Sequence, residues 1–188
     1  MEKIKKQIEI LLSETERPGI QALLNYMDNA GFYTAPCSSK YHLAKPGGLA
    51  EHSLNVFKNA LSLAHAFNDD FKFPINFELI KSITICALLH DLGKAGQYGK
   101  PAYIENEDPE KAPFRANKEL LYIPHEIRSV AIASQFIELT EEEQFAITYH
   151  NGLYGELRSI KGNETPLYMI LHFADMWASR VTEREEER

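Results

Sequence analysis

The run Ile83-Thr84-Ile85-Cys86-Ala87-Leu88-Leu89-His90-Asp91-Leu92-Gly93-Lys94 sets an imidazole and a carboxylate side by side at the end of an almost wholly apolar segment. Two such donors converging on a partly dry site make half of a metal site. Adjacent helical residues point about 100° apart and seldom meet on one object. At a last turn, with Gly93 free to take the left-handed C-cap conformation, both side chains can swing to one point. Taken alone, the pair fits equally well a buried His capping its own helix, with Asp91 as a turn residue.

The other titratable residues weigh on the choice. Of seven His, His52 falls early in a long helical pattern, His90 ends the apolar one, His125 begins a helix and His150 ends one. Asp175 lies inside the apolar run Met169 to Trp177, where a carboxylate is costly without a partner. Four imidazoles and two carboxylates so placed suit a bundle whose helices aim ligands into one cavity. Nitrogen and oxygen donors favour Fe, Mn, Zn, Co or Ni over a thiolate-type site. Six ligands exceed what one ion with an open position needs, so two divalent ions sharing a bridging carboxylate is the simplest arrangement.

Lys94, one turn past Asp91, is placed to hold a phosphate or stabilise a leaving oxygen; a solvated cation at a helix C-terminus is the equal rival. Arg128, one turn after His125, could grip a substrate phosphate bidentately or pair with Glu126. His42 could brace a turn. His172, one turn before Asp175, suits a supporting role behind the ligands. His65 reads as a surface or packing residue, and Trp177, Phe173 and Cys86 as core.

Hydrophobic periodicity supplies the elements that must carry these groups. Stripes at Ile4, Ile8, Leu11, Leu12 and at Ile20, Leu23, Leu24, Met27 give two N-terminal helices. An irregular stretch from Phe32 to Pro46 precedes a long helix, Leu49 to Phe67, and a connector, Asn68 to Pro74. The central helix, Phe77 to His90, follows. From Ala95 to Ile123 no period holds, and so long a loop suggests a lid or binding segment. Its Lys100, Lys111, Arg115 and Lys118, with Tyr98, Tyr103, Phe114 and Tyr122, suit a nucleotide or simply a loop packed by its own side chains. Helices are expected from His125 to Leu139 and, with Thr140 and Glu143 as a capping box, on to His150. A loop, Asn151 to Asn163, leads to a last helix ending near Val181. With no strand series and no linker, residues 1–182 read as one all-α domain: N-terminal helices over 1–31, a core over 32–182, then a charged, frayed tail at 183–188.

At 188 residues the chain can bury one full core. A formal charge of −7 argues against an electrostatic grip on nucleic acid or anionic membrane. Two cysteines, Cys37 and Cys86, are too few for a disulfide framework. No apolar stretch follows the charged N-terminal residues, so a cytoplasmic protein is expected.

The ordered set His52, His90-Asp91 and Asp175 resembles the HD-domain superfamily of metal-dependent phosphohydrolases, and His125 with His150 resembles its binuclear branch. The resemblance covers roughly Ala35 to Arg180. Within it, Gly47-Gly48-Leu49-Ala50-Glu51-His52-Ser53-Leu54 looks like the motif of a subgroup. That subgroup includes the HD part of a bacterial 3′–5′ exoribonuclease and relaxase-type HD domains. Tyr149-His150-Asn151-Gly152 and Leu171-His172-Phe173-Ala174-Asp175 fit it too. The resemblance implies that His52, His90, Asp91 and Asp175 hold a first metal. Asp91, His125 and His150 would hold a second, with Asp91 bridging.

The expected activity is hydrolysis of a phosphate ester by metal-activated hydroxide, on a nucleotide or related phosphorylated small molecule, with Asp91, Lys94 and Arg128 at the reacting group. The alternatives are a 3′–5′ exonuclease or phosphodiesterase on single-stranded nucleic acid, which the charge disfavours, and a di-iron oxygenase of HD type. A non-enzymatic nucleotide sensor is a third.

Overall fold

The computed structural model describes residues 2–71, 74–152 and 160–185. Its element order is α1 (Glu2–Glu14), α2 (Ile20–Asn29), α3 (Gly48–Phe71), α4 (Phe77–Leu89), a 3-10 turn (Leu92–Lys94), β1 (Gly96–Gln97), β2 (Lys100–Pro101), β3 (Tyr103–Glu105), β4 (Phe114–Ala116), α5 (His125–Ala133), α6 (Glu141–Tyr149), α7 (Pro166–Trp177), a π-helical turn (Ala178–Thr182) and α8 (Glu183–Glu185). The fold is all-α, with the small sheets as appendages.

Because the second half of α4, from Ile83 on, is apolar almost all round, it has no solvated face to offer and takes the centre. Ile83 to Leu89 are all buried, and α4 lies against α1, α3, α6 and α7. Asn76 caps its start by accepting the Leu79 N–H at 2.8 Å. The capping box read from Thr140 and Glu143 forms at the head of α6, and Thr165 with Pro166 at N1 starts α7. Each cap fixes where a helix begins, and so where its far end delivers a ligand.

Several expectations need correcting. Helix α3 runs past Phe67 to Phe71, into the expected connector, whose residues 72–73 lie outside the described residues. The stretch from Ala95 to Ile123 folds into two antiparallel hairpins, β1 with β2 and β3 with β4. Strands of two or three residues are too short to show alternation, so periodicity could not reveal them. Tyr98 and Gly99, both at positive φ (57° and 71°), form the two-residue turn between β1 and β2. Phe173 and Trp177 are not core: four residues apart on α7, they share its outward side and are 47% and 59% exposed. The charged tail begins later than its composition suggests, since Glu183 is 1% exposed. Most of the Asn151–Asn163 loop and residues 186–188 lie outside the described residues. Among the described residues no helix is long and apolar enough to cross a membrane.

Candidate metal centre

The end of α4 delivers the His-Asp pair by a different device from the one expected. Gly93 is not left-handed; it sits in the 3-10 turn. A Cβ there would stand 2.4 Å from the His125 carbonyl oxygen and 2.9 Å from Arg128 Cβ, so glycine lets α5 press against the turn. The Gly93 N–H donates to Ser129 Oγ at 2.8 Å, which locks the approach. His90 is the helix C-cap, and Asp91 steps out of helical geometry at φ −105°, ψ 12°. The break between the two residues is what lets neighbouring side chains meet.

Around Asp91 the expected ligands converge. His52 Nε2 lies 3.6 Å from Asp91 Oδ2 and 3.2 Å from Asp175 Oδ1, and His90 Nε2 lies 3.5 Å from Asp91 Oδ2 and 3.3 Å from His52 Nε2. On the other carboxylate oxygen, His125 Nε2 is 3.1 Å and His150 Nε2 3.6 Å from Asp91 Oδ1. Donors held about 2.1 Å from one ion stand roughly 3.0–3.4 Å apart at octahedral and tetrahedral angles, so these separations suit ligation.

Every inward Nε2 is paired with an outward Nδ1 placed near an acceptor. His90 donates from Nδ1 to the Ala87 carbonyl at 2.9 Å and His150 to the Ile147 carbonyl at 2.7 Å. His52 Nδ1 is held by Glu183 at 2.9 Å, and His125 Nδ1 lies 3.2 Å from Glu126. At His90, His150 and His52 the acceptor behind Nδ1 favours the tautomer with the Nε2 lone pair inward, the arrangement of metal-ligating imidazoles, whereas the Glu126 oxygen near His125 makes no hydrogen bond.

Glu183 was missed by sequence reasoning because it opens a charged run. The π-helical turn explains its position: widening the helix after α7 delays the register, so that Glu183 returns to the side of Asp175. Behind His150, its carbonyl accepts from His172 Nδ1 at 2.8 Å, the supporting role foreseen for His172. Gly152 makes this possible, since a Cβ there would meet the His172 ring at 2.0 Å.

Electrostatics follow from burial and crowding. Burial pulls the His90 imidazole down to about 3. Burial works against ionising Asp91, yet Lys94, His90 and His125 hold its carboxyl well below the usual range. His52 overcomes the same burial through the neighbouring Cys37 sulfur and then the Asp175 and Glu183 carboxylates, and its imidazole is raised. The donor set fits a divalent cation on one further observation: Asp91 Oδ1 is fully buried and meets no hydrogen-bond donor in bonding geometry. A buried carboxylate oxygen without a donor in bonding geometry is costly unless a positive charge stands beside it.

Two residues expected at the reacting group diverge. Lys94 stays close, its Nζ 2.6 Å from Asp91 Oδ2. Arg128 does not join the cluster: it is 3% exposed, donating to Gln97 Oε1 at 2.6 Å and to the Leu121 carbonyl at 2.7 Å. Its guanidinium pins the hairpin segment to α5, and that occupies the donors a phosphate would need. His42 lines the entrance, with burial pushing it down to about 4; His65 is exposed. The cavity in front of the centre has about 720 Å³ and is lined by His150 and Asp175 together with Lys40, Lys94, Arg180 and Arg184. A larger groove of about 870 Å³ between α1 and α2 includes none of the ligands.

Compared with known families, residues 49–180 match the model of the HD domain. The chain belongs to the HD-domain family. The match runs from α3 into the π-helical turn and includes all six of the converging His and Asp residues, while Glu183 falls just past it. No curated protein matches the chain, and no solved structure does. Membership places this HD domain in a superfamily of metal-dependent phosphohydrolases, whose members bind divalent metals.

Proposed function

We propose that this HD domain hydrolyses a phosphate ester of a nucleotide or related phosphorylated small molecule at a centre of two divalent ions. One observation carries the reading: Asp91 turns one oxygen to His52 and His90 and the other to His125 and His150. A carboxylate so divided suits a bridge, with Asp175 completing the first set of ligands. Divalent ions there supply charge to neutralise phosphoryl oxygens and acidify water near neutral pH.

The protein's own groups do the rest. Lys94 reaches the cavity from beside Asp91, where its ammonium can meet a phosphoryl oxygen. Lys40, Arg180 and Arg184 line the same cavity and set a local positive rim on a chain of net charge −7. A volume of about 720 Å³ accommodates a mononucleotide-sized molecule.

The test is metal content per chain on protein purified without chelator or a metal-binding tag, paired with a screen of phosphomonoesters, phosphodiesters and nucleotides. Close to two ions per chain, falling in His125→Ala, is the expected result, with turnover of at least one phosphate ester. A single ion unaffected by His125→Ala would reduce His125 and His150 to substrate contacts. No ion after reloading would overturn the reading.

A further inference from the structure

The loop Cys37–Leu43 closes on itself beside the centre. The Cys37 N–H donates to the Leu43 carbonyl at 3.2 Å, and the Ser38 hydroxyl donates to the His42 carbonyl at 3.0 Å. Leu43 is held at φ 48°, a left-handed conformation that costs a residue with a Cβ and is retained only where its surroundings impose it. The outcome is that Cys37 Sγ faces His42 Nε2 at 3.3 Å. Four residues separate the two, a spacing within the range that structural zinc sites use for paired ligands.

A third donor is at hand. Glu183 Oε2 lies 4.0 Å from His42 Nε2, while the same carboxylate holds His52 from outside the His/Asp centre. Cys37 Sγ, His42 Nε2 and a ring nitrogen of His52 all lie within 4.8 Å of one another. Cys37 Sγ also lies 4.0 Å from Asp91 Oδ2, so this group abuts the His/Asp centre without being among the six residues expected to ligate there.

We infer that Cys37, His42 and Glu183 form a second, softer cation site adjoining the His/Asp centre, one that takes a thiophilic divalent ion such as Zn²⁺ or Cd²⁺. Sulfur about 2.3 Å and nitrogen about 2.0 Å from a tetrahedral ion stand roughly 3.5 Å apart, close to the separation here. The Sγ–metal bond forms as the thiol S–H breaks, and the proton leaves to solvent through the cavity that His42 lines. No electron is transferred. Hard, oxygen-preferring ions gain little from the thiolate, so the two adjoining sites sort cations by softness. An ion here competes with His52 for Glu183, and that loosens the first ligand of the main centre.

The test needs no substrate. Metal-stripped full chain is titrated with Co²⁺ and followed by ultraviolet–visible absorption, where cobalt on thiolate gives a charge-transfer band that cobalt on imidazole and carboxylate lacks. The band is expected to grow in after the absorption of the His/Asp centre has saturated. It should vanish in Cys37→Ser, persist in Cys86→Ser, and need about tenfold more cobalt in His42→Gln. Circular dichroism checks that each variant folds; if Cys37→Ser does not, His42→Gln carries the test. Absence of the band at any loading overturns the site. So does a band that rises with the first ion and ignores His42→Gln, which would place the thiol in the His/Asp centre.

Discussion

Two buried carboxylates show how differently the same cost can be met. Glu143, 0% exposed, accepts from Arg17 Nη2 at 2.7 Å and Nη1 at 3.1 Å, from Ser82 Oγ at 2.7 Å and from the Thr140 N–H at 2.9 Å. Both its oxygens are met by protein donors, and the cluster ties the turn after α1 to α4 and α6. Asp91, 1% exposed, has Lys94 on one oxygen and no donor in bonding geometry on the other. Of the imidazoles around it, His52, His90 and His150 turn Nδ1 away to other acceptors. The first cluster is complete as protein; the second is shaped for something that is not protein.

Removing Asp91 is the most severe way to probe that contrast. Asp91→Ala should cut turnover by about 10³-fold or more and abolish metal retention, because several kcal/mol of charge stabilisation are lost. The fold should survive, read by circular dichroism and elemental analysis. Wild-type turnover in this variant would sink the mechanism. Glu143→Ala should do the reverse. Leaving Arg17 largely buried without its partner should cost about 3–5 kcal/mol in denaturant unfolding, with metal per folded chain unchanged. A loss of bound metal there would mean that the two clusters are one system.

A finer probe acts on the hold behind a ligand. Glu183→Gln keeps the shape but weakens the grip on His52 Nδ1, and metal affinity should fall about 10- to 100-fold in a chelator competition. An unchanged affinity would mean that Glu183 does not steady His52 for a metal.

How far the sequence led depended on what each residue reports. That His52, His90, Asp91, His125, His150 and Asp175 gather at one point was legible because imidazoles at helix ends and a carboxylate in an apolar run are costly without partners. Helices were legible from period and caps, Thr140 with Glu143 most directly. Other features depend on three-dimensional detail that spacing does not carry. Gly93 looked like a C-cap, yet it serves the close approach of α5, which only packing reveals. Trp177 read as core because apolar type is a one-way guide to burial. Glu183 was hidden by its charged neighbours, since a π-helical turn carries no residue signature and rotates every position after it. Arg128 sat one turn from a ligand, and nothing in the sequence showed that Gln97 and Leu121 would claim its guanidinium.

Acid offers the mildest test, on metal-stripped protein. Burial lowers His90 to about 3 and His42 to about 4. Both stay neutral in the fold while the unfolded chain protonates them near 6.5, so stability should fall as pH drops from about 6.5 toward 4. Each group contributes up to about 1.4 kcal/mol per pH unit in that window. His52 and His150 are raised instead, despite burial: the Cys37 sulfur and then Asp175 and Glu183 hold the first imidazolium and Asp91 the second. Their contribution is fully present below 6.5 and is lost only as pH rises through their raised values, so it is flat across the same window. His42→Gln should therefore make the melting temperature of the stripped chain less dependent on pH between 6.5 and 4.5, leaving the share due to His90. Should the stripped wild-type chain instead keep constant stability through that window, His90 and His42 are not held neutral by burial, and the centre is less dry than its geometry implies.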